Sequence, residues 1–365
     1  MTTPRIEVDL SKIRQNARHL VDQLTPLGIS VVGVTKGVCG HPDVARAMLD
    51  GGVAALGDAR VTNVERMRAA GITAPVLLIR TPMLGQVDRI VRTCGTSLNA
   101  DMDVVEALAH AACRAGRIHG IVVMVEMGDG REGMPPSALP RFARRVMALP
   151  GVVLAGLGAN FACLNRRAPD RVAMGAFLSL VPLVERACGV PLRVVSGGNS
   201  ANLAGLRPGP TRLNELRLGE SILLGRNPLT GEPIAGLATD AFTLVAEVIE
   251  SRTDAQRRGA GAMPGGLSRP DAGAASLLAL GDQDTDTGGL SMPGLLTFLG
   301  STSDHLLLRT PGQALAAGTE VRFGLNYSAL MRAMSAPDIA TVVRDAPATR
   351  RPLPGRGAQR DLEPT

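Results

Sequence analysis

The sequence predicts an α/β protein: a (β/α)8 TIM barrel followed by a smaller C-terminal β domain. Between residues 30 and 225, eight short apolar segments alternate with helical segments, which matches the number and size of the units in such a barrel. No Gly-x-Gly-x-x-Gly follows the first apolar segment, which disfavours an open dinucleotide-binding sheet. After residue 230 the pattern changes to alternating strands without long helices. A doubly wound open sheet remains the alternative that the pattern alone allows.

Each of the eight strand candidates is a short run rich in apolar residues. They are Ser30–Lys36, Ala54–Asp58, Val76–Arg80, Thr96–Asn99, Gly120–Met127, Leu154–Asn160, Arg193–Ser196 and Glu215–Leu223. The predicted helices between them are Pro42–Asp50, Val61–Ala70, Met102–Ala115, Leu139–Ala148, Asp170–Cys188 and Ser200–Leu206. In a barrel of this kind, the loops after the carboxyl ends of the strands form the functional face.

The same patterns divide the chain. We predict a barrel over residues 1–230 and a β domain over residues 231–344, with residues 4–10 as a candidate first strand of that domain. The strands of the β domain are predicted to begin at Phe242, Leu295, His305 and Glu320. The glycine-rich residues 252–275 predict a mobile loop, and the proline- and arginine-rich residues 345–365 predict a disordered tail.

Composition excludes several classes of protein. Apolar residues make up 45% of the 365 residues and charged residues 20%, so a sizeable core is available and the chain is not disordered overall. No apolar run reaches the roughly 18 residues that a membrane span needs, and the start lacks the apolar stretch of a secretory signal. The expectation is a soluble, cytoplasmic protein without a membrane partner.

Charge and cysteine content narrow the class further. The net charge is +6, but arginine is spread along the whole chain and aromatic residues make up only 2%. We expect no nucleic-acid partner, because single-strand binders stack bases on aromatic side chains beside a basic groove. The five cysteines form no Cys-x-x-Cys pair and the five histidines show no metal-ligand spacing. Reduced thiols and no metal site are therefore predicted.

Lysine usage singles out one position. Of the 39 basic residues, only Lys12 and Lys36 are lysine. Lys12 lies at the start of an amphipathic helical segment and is interpreted as a solvated charge. Lys36 ends the first buried strand candidate, where a solvated lysine is also common. The alternative is that the chemistry at Lys36 needs a primary amine, which arginine cannot supply.

Two loops after the seventh and eighth strand candidates indicate an anion site. They are Ser196-Gly-Gly-Asn-Ser200 and Arg217-Leu-Gly-Glu-Ser221. Small residues and free backbone N–H groups at a helix start bind anions, and these two loops form the usual phosphate site of the barrel. An ordinary turn is the competing interpretation of the first loop. A lysine after strand one combined with a phosphate site is typical of pyridoxal 5'-phosphate (PLP), whose aldehyde forms a Schiff base with lysine.

The order of the motifs supplies a family resemblance. The motifs are Val34-Thr-Lys36-Gly-Val-Cys-Gly-His, Leu56-Gly-Asp58-Ala-Arg60, Val125-Glu-Met-Gly-Asp-Gly-Arg131-Glu-Gly, Gly158-Ala-Asn160-Phe-Ala-Cys163, Ser196-Gly-Gly-Asn-Ser200, Glu215-Leu-Arg217-Leu-Gly219-Glu, Ser303-Asp304-His305 and Leu325-Asn-Tyr327-Ser-Ala-Leu. Over residues 4–335 the sequence resembles the alanine racemase-like family of PLP enzymes, in particular its two-domain alanine/ornithine racemase branch.

The resemblance implies roles for three residues around the cofactor ring. Lys36 would hold PLP as a Schiff base and act as one acid/base group. Arg217 would donate to the pyridine nitrogen, which keeps that nitrogen unprotonated and weakens the electron sink. Asn160 takes the place of a histidine that stacks near the ring in alanine racemases, and asparagine cannot stack in the same way.

The resemblance also implies a set of binding residues. The cofactor-binding candidates besides these three are Ser196, Asn199, Ser200, Gly219, Glu220 and Tyr327, of which Tyr327 is the only tyrosine in the chain. Gly219 and Glu220 would bind the phosphate through backbone N–H groups. The substrate-binding candidates are Arg131, which would lie near the substrate carboxylate, and Asp304.

The second base departs from the family pattern. Alanine racemases use a tyrosine from the partner subunit on the face opposite the lysine, but the corresponding glycine-rich segment here has no tyrosine. Cys163 and His305 are the catalytic candidates for that face, and Asp304 and Asp271 are further possibilities. Because the partner subunit closes the barrel mouth in this family, we expect a homodimer.

The resulting expectation is a PLP-dependent racemase or epimerase that interconverts L- and D-amino acids, acting on a basic amino acid such as ornithine or lysine. A decarboxylase or an aldolase on the same fold is the first alternative. Arg217 disfavours a decarboxylase, because decarboxylases of this fold place an acidic residue at the ring nitrogen. An aldolase of this type would require a divalent metal, and the sequence shows no cluster of metal ligands. A PLP-binding protein without turnover is the second alternative, but such relatives are single barrels.

Overall fold

The computed structural model describes residues 3–207, 209, 211–252, 274–310 and 313–345. Within these residues, eight parallel strands close into a barrel in which each strand pairs with the next and the last pairs with the first. The strands are β2 Ser30–Val34, β3 Ala55–Asp58, β4 Val76–Leu78, β5 Thr96–Asn99, β6 His119–Val125, β7 Val152–Ala159, β8 Val194–Asn199 and β9 Glu215–Leu218. The predicted TIM barrel is confirmed, and the open sheet is excluded.

Buried apolar side chains explain why these segments form a barrel. Its interior is filled by Val32, Leu77, Leu98, Val122 and Met124, which pack together as a separate cluster. The outer faces of the strands pack against the helices, so the strands are apolar on both faces. This two-sided burial produces the continuous apolar runs that identify the strands in the sequence.

Helices cover the outside of the barrel. They are α1 Leu10–Leu24, α2 Pro42–Asp50, α3 Val61–Ala69, α4 Val87–Thr93, α5 Met102–Arg114, α6 Leu139–Met147, α7 Arg171–Cys188 and α8 Glu220–Leu224. A further helix, α9 Tyr327–Ala333, belongs to the C-terminal part of the chain. Several begin at side-chain caps: the Asp9 carboxylate accepts hydrogen bonds from the Ser11 and Lys12 amides, and Asp101 caps α5 in the same way. Among the described residues, no helix is both long and apolar enough to cross a membrane.

Two sequence-based boundaries are wrong. The segment Glu215–Leu223 was predicted as one strand, but β9 ends at Leu218 and α8 begins at Glu220. A short apolar run does not distinguish a strand from a buried helix, and the residues of α8 from Ser221 onward are all buried. The predicted helix Ser200–Leu206 is a short 3-10 helix that ends at Gly205.

A mostly antiparallel sheet follows the barrel. Its strands are β1 Arg5–Asp9, β10 Phe242–Arg252, β11 Ala274–Ala279, β12 Leu290–Ser291, β13 Thr297–Ser301, β14 His305–Thr310, β15 Glu320–Leu325 and β16 Ala340–Arg344. Strand β1 pairs antiparallel with β10 and parallel with β16, so the start of the chain belongs to this sheet. The predicted mobile loop lies outside the described residues except at its ends, and so does the predicted tail except at residue 345.

A buried ionic cluster fixes β1 within the sheet. Glu7 is 5% exposed, and its carboxylate accepts hydrogen bonds from Arg5 at 3.0 Å and Arg322 at 2.5 Å. Arg344 completes the cluster at 2.9 Å. The hydrogen bond from Arg322 is the main reason that the pKa of Glu7 falls to about 2. The cluster therefore connects three strands through one carboxylate.

Candidate active site

A cavity of about 770 Å³ lies at the carboxyl ends of the barrel strands. Most of the residues singled out from the sequence line it. These are Lys36, Arg131, Asn160, Cys163, Asn199, Ser200, Arg217, Gly219, Glu220 and Tyr327. Among these residues, the fold brings one amine, two guanidinium groups, two carboxamides, a carboxyl group, a thiol, a hydroxyl and a phenol to a single opening.

Lys36 stands on a firmly held turn directly after β2. The preceding Thr35 is fully buried, and its hydroxyl donates to the Asp58 carboxylate at 2.7 Å. Asn63 also donates to Asp58, at 2.9 Å. Burial raises the pKa of Asp58 above its usual value, although these hydrogen bonds oppose the shift. The base of the turn is thus fixed while the Lys36 side chain extends into the cavity.

Tyr327 reaches the cavity from the segment between β15 and β16. Its helix α9 begins at Asn326, whose side chain accepts a hydrogen bond from the Ala329 amide. This cap places the Tyr327 ring against Gly37, beside Lys36. Burial, together with the nearby Glu220 and Asp58 carboxylates, raises the pKa of the Tyr327 phenol. The phenol is therefore neutral at physiological pH and is available as a hydrogen-bond donor.

Arg217 is the most thoroughly buried cation of the site. It is 4% exposed, and one nitrogen donates to the Asn160 side-chain oxygen at 2.8 Å and to the Ala159 carbonyl at 2.7 Å. The other terminal nitrogen donates to Ser196 Oγ, which itself donates to Glu215 at 2.6 Å. Burial lowers the pKa of Arg217, but a guanidinium stays protonated at neutral pH. Ser196 lies outside the cavity lining and orients Arg217.

Two loops present small polar groups on one side of the cavity. Ser200 Oγ lies 2.9 Å from Ser221 Oγ, which joins the loop after β8 to the loop after β9. Asn199 caps the short 3-10 helix by accepting from the Ala201 amide at 2.9 Å. Burial raises the pKa of the Glu220 carboxyl to about 7, and the charges of Arg166 and Lys36 oppose this shift. Hydroxyls and helix-start amides meet here, as an anion site requires.

Arg131 lies between two carboxylates. Its Nη2 donates to Glu132 at 2.6 Å, and its Nε is 3.6 Å from the Asp129 carboxylate. Glu132 also accepts a hydrogen bond from Asn160, which is the residue that contacts Arg217. A continuous polar chain therefore runs from Arg131 through Glu132 and Asn160 to Arg217.

The candidates for the second base are separated in the fold. Cys163 lines the cavity, and its sulfur accepts a hydrogen bond from Asn199 at 3.2 Å. Burial raises the pKa of this thiol, whereas Arg131 and Lys36 lower it. Asp304 and His305 lie at the turn into β14, outside the residues that line this cavity. Asp271 lies outside the described residues.

Three charged residues of the lining, Arg80, Glu132 and Arg166, were given no role from the sequence. Glu132 directly follows Arg131, and only the fold reveals its contacts with both Arg131 and Asn160. Arg166 lies in the loop after β7 and has a positive φ of 53°. No sequence pattern predicts that this exposed loop folds back over the cavity. Among the described residues, no group of three or more His, Cys, Asp or Glu side chains is placed to hold a metal ion.

Comparison with characterised proteins identifies close relatives of the whole chain. A lysine racemase from Thermotoga maritima is 32% identical over 352 residues, covering 94% of this chain and 99% of that protein. An ornithine racemase from Acetoanaerobium sticklandii is 28% identical over 342 residues, covering 90% of this chain and 96% of that protein. The similarity therefore extends through both the barrel and the sheet.

Solved structures share the fold. An alanine racemase from a D-cycloserine-producing Streptomyces lavendulae superposes with a TM-score of 0.75 at 21% identity, covering 95% of this chain and 98% of that chain. A D-threonine aldolase from Filomicrobium marinum gives 0.73 at 17% identity, covering 94% of this chain and 91% of that chain. Residues 8–228 match the family described as alanine racemase, N-terminal domain. This chain therefore belongs to the alanine racemase N-terminal domain family.

Proposed function

We propose that this protein is a PLP-dependent amino-acid racemase. The observation that carries the proposal is the convergence of Lys36, the buried Arg217 and the hydroxyl of Ser200 on one cavity. A PLP site needs these three kinds of group: an amine for the aldehyde, a partner for the ring nitrogen, and an anion site for the phosphate. The racemases that are similar over the whole chain support the same reaction.

The residues present fit the cofactor. Lys36 would hold it covalently, Arg217 would contact its ring nitrogen, and Ser200, Gly219 and Tyr327 would bind its phosphate. The Tyr327 phenol is protonated at neutral pH because its pKa is raised, so it can donate to an anion. When bound, PLP would supply an electron sink that makes the α-proton of an amino acid acidic.

The other residues of the cavity supply binding and proton transfer. Lys36 would accept and return a proton on its own face of the substrate. The guanidinium of Arg131 would bind the substrate carboxylate, because one of its nitrogens has no hydrogen-bond partner among the described residues. On the opposite face, Cys163 is the candidate that this chain places in its own cavity. A racemase needs a proton donor on each face.

The proposed substrate is a basic amino acid such as lysine or ornithine. Its support is the similarity to a lysine racemase and an ornithine racemase over nearly the full length of all three chains. The test is to supply the purified protein and PLP with a panel of L-amino acids and to separate the products by chiral chromatography. Formation of D-lysine or D-ornithine supports the proposal, whereas turnover of neutral amino acids alone would overturn the substrate assignment.

The same assay distinguishes the alternative reactions. The D-threonine aldolase noted above shares this fold, so the fold does not decide between racemisation and aldol cleavage. An aldolase would release glycine and an aldehyde, and a decarboxylase would release carbon dioxide and an amine. A protein that binds PLP without turnover would give none of these products.

We also propose a cytoplasmic homodimer. All five cysteines are free thiols, which suits a reducing compartment. Near the cavity, Met83 and Leu164 are exposed apolar side chains, and Leu295 is 80% exposed on the sheet side of the molecule. A second copy that covers both regions would shield the cavity from water. Sedimentation of an active monomer at micromolar concentration would refute the homodimer.

A further inference from the structure

A buried carboxylate joins the loops that follow two neighbouring strands of the barrel, β6 and β7. Asp129, in the loop after β6, is 3% exposed. Its Oδ1 accepts backbone hydrogen bonds from Cys163 and Leu164, each at 2.9 Å, in the loop after β7. A longer contact of 3.5 Å runs to the Asn165 amide, whose side chain donates to the Gly128 carbonyl at 2.7 Å.

The loop after β7 needs such an anchor. Ala162 and Arg166, which bracket the anchored residues, have φ values of 62° and 53°. Non-glycine residues in this left-handed region cost about 1 kcal/mol or more each, so the loop does not hold this shape through its own preferences. The same loop carries the Cys163 side chain into the cavity.

The second oxygen of Asp129 lies near Arg131, a residue that lines the cavity. Among the described residues, Oδ2 accepts no hydrogen bond, and it lies 3.6 Å from Nε of Arg131. Glu132 contacts the same guanidinium more closely, through Nε and Nη2. The backbone of the loop after β6 is held by a different carboxylate, since Glu126 accepts hydrogen bonds from the Gly128 and Gly130 amides. The loop after β6 therefore does not depend on Asp129 for its backbone conformation, and this carboxylate oxygen is available to the Arg131 side chain.

We propose that Asp129 is a positioning residue for substrate binding, an inference that rests on the racemase function proposed above. One oxygen fixes the loop that carries Cys163. The other, together with Glu132, holds the Arg131 guanidinium at the place where a substrate carboxylate would bind. A single buried carboxylate thereby sets the distance between Arg131, which would bind the substrate, and the loop that carries Cys163.

The first test measures the position of the loop without any catalytic readout. The unliganded wild type, Asp129→Asn and Asp129→Ala are labelled with a thiol reagent, and modification of Cys163 is followed by peptide mass spectrometry. Cys163 is already exposed in the wild type, and Asp129→Ala should still label it several-fold faster, because the freed loop releases the thiol from the Asn199 side chain that contacts it at 3.2 Å. Asp129→Asn should label near the wild-type rate, because its side-chain oxygen can still accept the backbone hydrogen bonds. An unchanged rate in Asp129→Ala would overturn the anchor.

The second test measures substrate binding in the PLP-loaded enzyme. Asp129→Asn should raise KM about tenfold or more with a smaller change in kcat, because its amide nitrogen would face the Arg131 guanidinium. Its visible PLP band should match that of the wild type. An unchanged KM would show that Asp129 does not position Arg131 for substrate binding. The same conclusion would follow if the variant lost part of its PLP band but its remaining PLP-loaded fraction kept the wild-type KM.

A matched control distinguishes the specific role of Asp129 from the effect of removing any carboxylate that accepts backbone hydrogen bonds. Asp101→Ala removes a carboxylate that also accepts two backbone hydrogen bonds, but at the start of α5 outside the cavity lining. It should leave both Cys163 labelling and KM at wild-type values. If wild-type protein racemises no amino acid, the proposed function fails, whereas the labelling experiment still decides whether Asp129 anchors the loop.

Discussion

The Tyr327 ring lies against Gly37 so closely that a Cβ at residue 37 would stand 2.9 Å from both Oη and Cε2 of the tyrosine. Gly37 directly follows Lys36, and Tyr327 begins the helix after the last long strand of the sheet. The contact therefore joins the C-terminal half of the chain to the turn that carries the lysine. Only glycine leaves enough room for the ring at this position.

Gly37→Ala should disturb this contact. We expect a loss of about 1–3 kcal/mol in unfolding free energy, because an added methyl group overpacks a buried site, together with weaker PLP binding. Thermal unfolding and PLP titration check both effects. Adding Tyr327→Ala should recover part of the lost stability, since the two substitutions are coupled. Gly85→Ala is the control, because no atom lies within 4 Å of its added Cβ. Additive effects of the two substitutions would contradict the coupling.

Lys36→Ala should abolish covalent attachment of PLP. The purified wild type should show a visible absorbance band and a borohydride-stable adduct, and the variant should show neither, because no other amine among the described residues lines the cavity. Lys12→Ala should behave as wild type, since Lys12 pairs with Asp240 at 2.6 Å outside the cavity. A borohydride-stable adduct that persists in Lys36→Ala would contradict the assignment.

Cys163→Ser should distinguish proton transfer on the face opposite Lys36 from proton transfer on the Lys36 face. If the thiol serves the face opposite Lys36, conversion of the L- to the D-enantiomer should fall about 100-fold or more. Exchange of the α-proton of one enantiomer with solvent should persist, because Lys36 still serves its own face. Cys113→Ser, at an exposed position in α5, is the control. Unchanged racemisation would exclude Cys163 and direct attention to His305.

Acid should destabilise the protein through Glu7. Its pKa is about 2 in the folded state, below the ordinary value of 4.5, so the unfolded chain binds more protons between these pH values. The stabilisation is present above pH 4.5 and is lost as the pH falls toward 2. Glu7→Gln should cost about 3 kcal/mol at pH 7 and show a flatter loss in acid. Denaturant unfolding of both proteins at pH 7 and pH 3 checks this, and parallel pH profiles would contradict it.

The sequence predicts the barrel well because its strands are buried on both faces. Runs such as Ser30–Val34 and Val76–Leu78 are short, apolar and regularly spaced, so their positions require no tertiary information. The boundary at Gly219 could not be predicted, because the apolar residues of α8 fit a strand and a buried helix equally well.

Site residues at strand ends were predictable, whereas contacts between loops were not. Lys36 and Arg217 follow or lie within strands whose register fixes their position. The roles of Glu132, Arg166 and Asp129 depend on how the loops after β6 and β7 meet. These loops carry no periodic pattern, and their conformation is set by hydrogen bonds between residues more than 25 positions apart.

The most direct test of the proposed racemase is proton exchange in D₂O. The PLP-loaded protein is incubated with L-lysine or L-ornithine, and both enantiomers are separated and analysed by mass spectrometry. We expect the D-enantiomer to appear with one deuterium at the α-carbon, the reverse conversion to occur from the D-amino acid, and Lys36→Ala to do neither. Deuterium incorporation with complete retention of the L-configuration, or no incorporation into any amino acid tested, would contradict racemisation.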